Sequence, residues 1–86
     1  MSQIRFQSIE DFKDCLNRGG EIEFLWDGVH YGVVRYGIDD KITIYEAYQP
    51  GTEVAYASAD EVLQHLIGTN RLGEVITQLK VLDRTV

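Results

Sequence analysis

EIEFLWDGVHYGVV, residues 21–34, is two runs of alternating apolar and polar side chains set about Asp27-Gly28. Asp-Gly between such runs signals a two-residue hairpin, because a type I′ turn needs positive φ at both central positions. The turn sets the pairing: Trp26 opposite Val29, Phe24 opposite Tyr31, Ile22 opposite Val33. These six apolar or aromatic residues then share one face. Phe24 is expected inside and Leu25 on the other side.

The next run, KITIYEA at 41–47, extends the pattern. Pairing Tyr36 with Lys41 across the turn at 37–40 puts Ile42 opposite Arg35 and Ile44 opposite Val33. A three-stranded antiparallel meander results, with strands 21–26, 29–36 and 41–47. Before it, residues 8–18 read as a helix. Ser8 caps it, Asp11 supplies a first-turn acid, and Ile9, Phe12, Cys15 and Leu16 recur at helical spacing. Gly19-Gly20 ends it.

After the meander, 48–57 reads as a loop turning at Pro50-Gly51, with a short extended piece at 53–56. SADE at 58–61 has the form of a capping box. Val62, Leu63, Leu66 and Ile67 give a second helix its apolar stripe, and Gly68 ends it. A third helix over 70–79 carries Leu72, Val75, Ile76 and Leu79, with Thr69 or Asn70 as its cap. KVLDRTV, at 80–86, fits helix, final strand or frayed end.

The expected fold is α+β, a single domain over residues 1–86, in the order α-β-β-β-α-α with the helices on one face of the meander. Phe12, Leu16, Ile22, Phe24, Trp26, Val33, Ile42, Ile44, Val62, Leu66, Val75 and Ile76 are the expected core. A length of 86 residues sets one domain as the default, and at 44% hydrophobic and 26% charged the chain falls in the globular range rather than the disordered one.

Charge narrows the choice of partner. The net charge is −6, with a balance of −7 in residues 21–61, zero in 1–20 and +1 in 62–86. Such a surface disfavours direct contact with a phosphate backbone and suits a basic partner. No stretch approaches the ~18 apolar residues of a membrane span. The opening Met-Ser-Gln-Ile-Arg-Phe lacks the features of a signal peptide, and Cys15 is the single cysteine. A cytoplasmic location follows as an expectation.

The chemistry-bearing motifs are missing. There is no P-loop, no dinucleotide fingerprint and no zinc-spaced set of His and Cys, so no cofactor or metal is expected. His30 and His65 fall on different elements, His65 on the second helix. Cys15 reads as a buried structural thiol rather than a nucleophile. The chain is therefore not expected to be an enzyme.

What remains is the second face of the sheet, which carries Glu21, Glu23, Leu25, His30, Gly32, Val34, Tyr36, Thr43 and Tyr45. Leu25, Val34, Tyr36 and Tyr45 make it more apolar than a solvated sheet face requires, and acids rim it. Gly32 lies between Glu23 and Tyr45. Either Tyr45 lies across the glycine, or the glycine opens a shallow groove. The partner-binding candidates are Leu25, His30, Val34, Tyr36, Asp39, Asp40, Tyr45 and Tyr48. The C-terminal segment, a second copy in a homodimer, or another protein are the three ways to cover the face.

GEIEFLWDGVHYGV, KITIYEA and SADEVLQHLIGTNRLGEVI together resemble a group of small uncharacterised proteins of Gram-positive bacteria and their phages. The resemblance rests on Phe24, Asp27, Gly28, Ser58, Asp60, Glu61, Leu63, Gly68, Leu72 and Ile76 and spans about residues 20–77. It implies a bacterial or mobile-element origin and no activity. The leading expectation is a small acidic protein-binding module. The alternative is an inhibitor in which Asp27, Asp39 and Asp40 stand where phosphates stand on a basic, nucleic-acid-binding surface.

Overall fold

The computed structural model describes residues 5–35 and 41–84. The pairing of Tyr36 with Lys41 and the turn between them lie outside the described residues, as do Tyr36, Asp39 and Asp40.

Helix α1 is Ile9–Asn17. Ser8 is extended, and its hydroxyl accepts from the Asp11 N–H at 3.1 Å, which satisfies one of the donors that the first helical turn leaves open. The helix buries Phe12, Cys15 and Leu16. It closes where Gly19 takes φ 81 and the Gly20 N–H returns to the Cys15 carbonyl at 3.0 Å.

Strands β1 (Ile22–Trp26) and β2 (Val29–Arg35) pair in the expected register, from Ile22 with Val33 to Trp26 with Val29. Asp27 at φ 51 and Gly28 at φ 79 supply the two positive angles of the turn. Phe24 is fully buried and Leu25 half-buried, so the two faces are assigned correctly. Strand β3 (Ile42–Glu46) places Ile44 opposite Val33 and Ile42 opposite Arg35.

The meander is the middle of a larger sheet. Strand β4 (Val54–Tyr56) pairs with β3, and the final strand, β7 (Lys80–Arg84), pairs with β1. The antiparallel order is β4-β3-β2-β1-β7. Residues 53–56, read as a short extended piece, thus contribute an edge strand, and 80–84 of the ambiguous tail form a strand.

The second half differs from the helical reading. Helix α2 is only Ala59–Val62, capped by the Ser58 hydroxyl accepting from the Glu61 N–H at 3.3 Å. The chain then turns into a small hairpin, β5 (Leu66–Ile67) and β6 (Asn70–Arg71), followed by a 3₁₀ turn at Leu72–Glu74 and then β7. The expected third helix over 70–79 is absent from that span. The reason is in the hydrogen bonds. The Leu63 carbonyl accepts from the Gly73 N–H and the His65 carbonyl from the Leu72 N–H, both at 2.8 Å, so acceptors that would extend α2 are used by the returning chain. Gly73 permits that approach, because a Cβ there would stand 3.3 Å from the Leu63 carbonyl oxygen.

The core joins α1, the inner face of the sheet and the C-terminal half in one cluster. Of the expected core, all but Trp26 and Leu66 are buried. Trp26 is half-buried at the turn end of the sheet, packed against the cluster from outside. Leu66 is 59% exposed, because a strand turns it outward and Ile67 inward. Phe6, Cys15, Tyr31, Ala59, Leu63, Ile67, Leu72, Leu79 and Val81 join them in the interior. Val81 lies opposite Phe24 on β1 and is itself buried.

The two ends of the described chain are tied together. The Arg84 guanidinium donates to both Asp11 carboxylate oxygens at 3.0 and 3.2 Å and lies 4.7 Å over the Phe6 ring. Arg5 donates to the Gln78 carbonyl at 2.8 Å. Among the described residues no helix is long and apolar enough to cross a membrane.

Candidate functional site

The register puts α1 and the C-terminal half on one side of the sheet and leaves Leu25, His30, Val34 and Tyr45 on the other. Leu25 pairs with His30, Val34 with Thr43, and Gly32 with Glu23 on one side and Tyr45 on the other. Leu25, His30 and Tyr45 are half-buried, as is Val34's neighbour Arg35, and none of Leu25, His30, Val34 and Tyr45 belongs to the core cluster. Thr43 is nearly buried between Val34 and Ala55, its neighbours across the strands.

Of the two readings of Gly32, the structure bears out the filled one. The Tyr45 ring lies across the glycine, so that a Cβ there would collide with the phenol and stand 2.9 Å from Cε1. The ring therefore fills the space over Gly32. The rim of the face is acidic on the β1 and β7 side, where Glu23 pairs with Asp83, while Lys80 lies opposite Leu25.

His30 ties this face to the turn between β3 and β4. Its Nε2 is buried with no hydrogen-bond partner among the described residues, 4.0 Å from a Glu23 carboxylate oxygen. Its ring meets that of Tyr48 edge-on, with centroids 5.7 Å apart. Tyr48 is 88% exposed and sits at φ 67. For a residue other than glycine that backbone costs roughly 1–2 kcal/mol.

A network of hydrogen bonds holds the turn in place. The Ala47 N–H donates to the His30 carbonyl at 2.8 Å and the Gln49 N–H to the Glu46 carbonyl at 3.2 Å. The Thr52 hydroxyl accepts from the Glu46 N–H at 3.0 Å and donates to the Gln49 carbonyl at 2.8 Å. Glu53 accepts from the Gly51 N–H at 3.0 Å, where Gly51 takes φ 86. Two shallow concavities flank Tyr48. One, of about 430 Å³, lies toward Gly28, Val29 and His30; the other, of about 270 Å³, lies toward Tyr45, Pro50 and Glu53. Glu46 and Gln49 line both.

The structure thus places Leu25, His30, Val34 and Tyr45 on one sheet face and sets His30, Tyr45, Glu46, Gln49 and Glu53 in the concavities that flank Tyr48. The left-handed backbone that projects Tyr48 carries no local sequence signal beyond the neighbouring Pro50-Gly51. Tyr36, Asp39 and Asp40 lie outside the described residues.

The remaining titratable groups stand apart from this face. Cys15 is buried in the core beside Arg84. His65 is not helical; it precedes β5 and shares a 2.7 Å hydrogen bond between Nδ1 and the Tyr56 hydroxyl. Its burial pushes its pKa below the usual histidine value. The hydrogen bonds from Arg84, then that from the Gln7 N–H, hold Asp11 below the usual carboxylate range. Burial, with the charges of Glu46 and Asp27, pushes the Tyr31 phenol up. Among the described residues no three His, Cys, Asp or Glu side chains are grouped to hold a metal ion. Comparison with protein-family models, with curated proteins and with solved structures finds no match.

Proposed function

We propose that this protein is a non-catalytic binding module that docks on another protein through the outer face of its sheet. One observation carries the reading: Leu25, Val34 and Tyr45 stand, half-buried, on one face of the sheet, and the core cluster holds none of them. Apolar area of this kind, rimmed by polar groups, characterises contact surfaces. Glu23 and Asp83 at the rim, within a chain of net charge −6, favour a partner of opposite sign.

The same charge favours a second reading, in which the partner surface is one that otherwise holds nucleic acid and the protein acts as its inhibitor. The two readings share the face and differ in whether nucleic acid competes for the partner.

The test uses the full chain, immobilised, against an extract of the cells that express it. Leu25→Asp with Val34→Asp serves as the comparison, its fold checked by circular dichroism. A protein retained by the wild type and lost by the double variant is the expected result, and its release by added nucleic acid marks the inhibitor reading. Equal retention by both forms, or nothing retained, overturns the proposal. Sedimentation equilibrium separates the remaining occupant, a second copy, which would show as a dimer abolished by the same two substitutions.

A further inference from the structure

Beyond its edge-on contact with His30, Tyr48 takes no part in the described core. It is 88% exposed, so it contributes no core packing, and its left-handed backbone is one that Gly, Asn or Asp adopts at lower cost. The turn is nonetheless held by a network of hydrogen bonds, so the phenol is presented on a fixed base rather than on a loose loop. The two concavities beside it contain Glu46, and one also contains Glu53, while among the described residues neither is lined by a lysine or arginine. Tyr45 and Pro50 give the smaller one an apolar wall.

We propose that Tyr48 and its flanking clefts receive an arginine side chain projecting from the protein partner. The assignment rests on the reading of the protein as a protein-binding module and names the chemistry that one corner of its surface recognises. A guanidinium is planar, weakly hydrated and always charged, so it can stack on an exposed phenol and fork its N–H donors to a carboxylate. Its three-carbon stem suits the apolar wall of Tyr45 and Pro50. Lysine offers a compact, strongly hydrated charge that stacks less well. A phosphate would face Glu46 and Glu53 with like charge.

The probe is N-acetylarginine N-methylamide, titrated into the ¹⁵N-labelled full chain at low salt, with the lysine and citrulline analogues as controls. The expected result is a saturable shift confined to the amides of residues 46–49, Gly51 and His30. The lysine analogue should bind several-fold more weakly, and the uncharged citrulline analogue should leave these amides unmoved. Tyr48→Ala should weaken the arginine response by about threefold, the scale of one exposed cation–π contact. Glu53→Gln should remove some of its salt dependence. Tyr48→Gly, which suits the backbone, guards against a folding artefact and should behave as Tyr48→Ala does. Shifts that are absent, that are equal for lysine, or that persist unchanged without Tyr48 overturn the arginine site. Such a failure leaves the sheet-face reading to its own test with Leu25→Asp and Val34→Asp.

Discussion

Gly32 and Tyr45 show how one pair of residues closes a sheet face. A glycine inside a strand forfeits roughly 0.5–1 kcal/mol of backbone entropy, and here the tyrosine ring occupies the space that the missing side chain leaves. The atoms in the way are the far end of a side chain that can rotate. Gly32→Ala should therefore displace the ring rather than unfold the strand, with a stability change under about 1 kcal/mol. In a Tyr45→Ala background the same substitution should become stabilising by about 0.4–1 kcal/mol. Urea unfolding of the four proteins of this cycle measures the coupling. A coupling of zero would mean that the ring does not rest on the glycine in solution.

At the level of elements, Leu66 and Ile67 distinguish a hairpin from a helix. An α2 that ran to residue 67 would bury both, whereas the β5–β6 hairpin exposes Leu66 and fully buries Ile67. Leu66→Ala should cost less than about 0.5 kcal/mol and Ile67→Ala about 2–4 kcal/mol, as read from denaturant midpoints. The same stretch shows where the sequence stopped being legible. Val62, Leu63, Leu66 and Ile67 satisfy helical spacing, and a short apolar run cannot be assigned by period alone. What decides it is remote: Leu72 and Gly73 return to take the carbonyls of His65 and Leu63. Gly68-Thr69 between Ile67 and Asn70 is a turn signal that competed with the reading of Gly68 as a helix stop. The β1–β2 hairpin was legible because its two glycine-compatible turn positions adjoin the strands they align. The membership of β7 was not, because its partner, β1, is far away in the chain. Of the candidate surface, Leu25, His30, Val34 and Tyr45 followed from register, while Glu46, Gln49 and the pose of Tyr48 depended on the turn's hydrogen bonds.

For the whole molecule, acid should act in two stages. The folded state holds His65 below its ordinary value of 6.5, so the unfolded chain takes up that proton first, and stability falls as the pH drops through that value. Asp11 is also held below its ordinary value of 3.8; its contribution is intact above that pH and is lost as the pH falls through the lower folded value. Thermal midpoints measured across pH should show both limbs, with His65→Gln flattening the first and Asp11→Asn the second. Asp11→Asn should also cost about 1 kcal/mol at neutral pH, since the pair is only incompletely shielded from water. That clasp between Asp11 and Arg84 has a mechanical consequence. Arg84 ends β7 beside Ile22, which begins β1, so a load applied at residues 5 and 84 meets both strands at the same end of the sheet. The strands then unzip, a single ladder bond at a time, instead of shearing as a block. Pulled from those points in an optical trap, the fold should give way at low force, with the Asp11–Arg84 pair the first to yield, and Asp11→Asn should lower that force further. Traction between residues 22 and 46, which lie on different strands of the meander, should meet greater resistance.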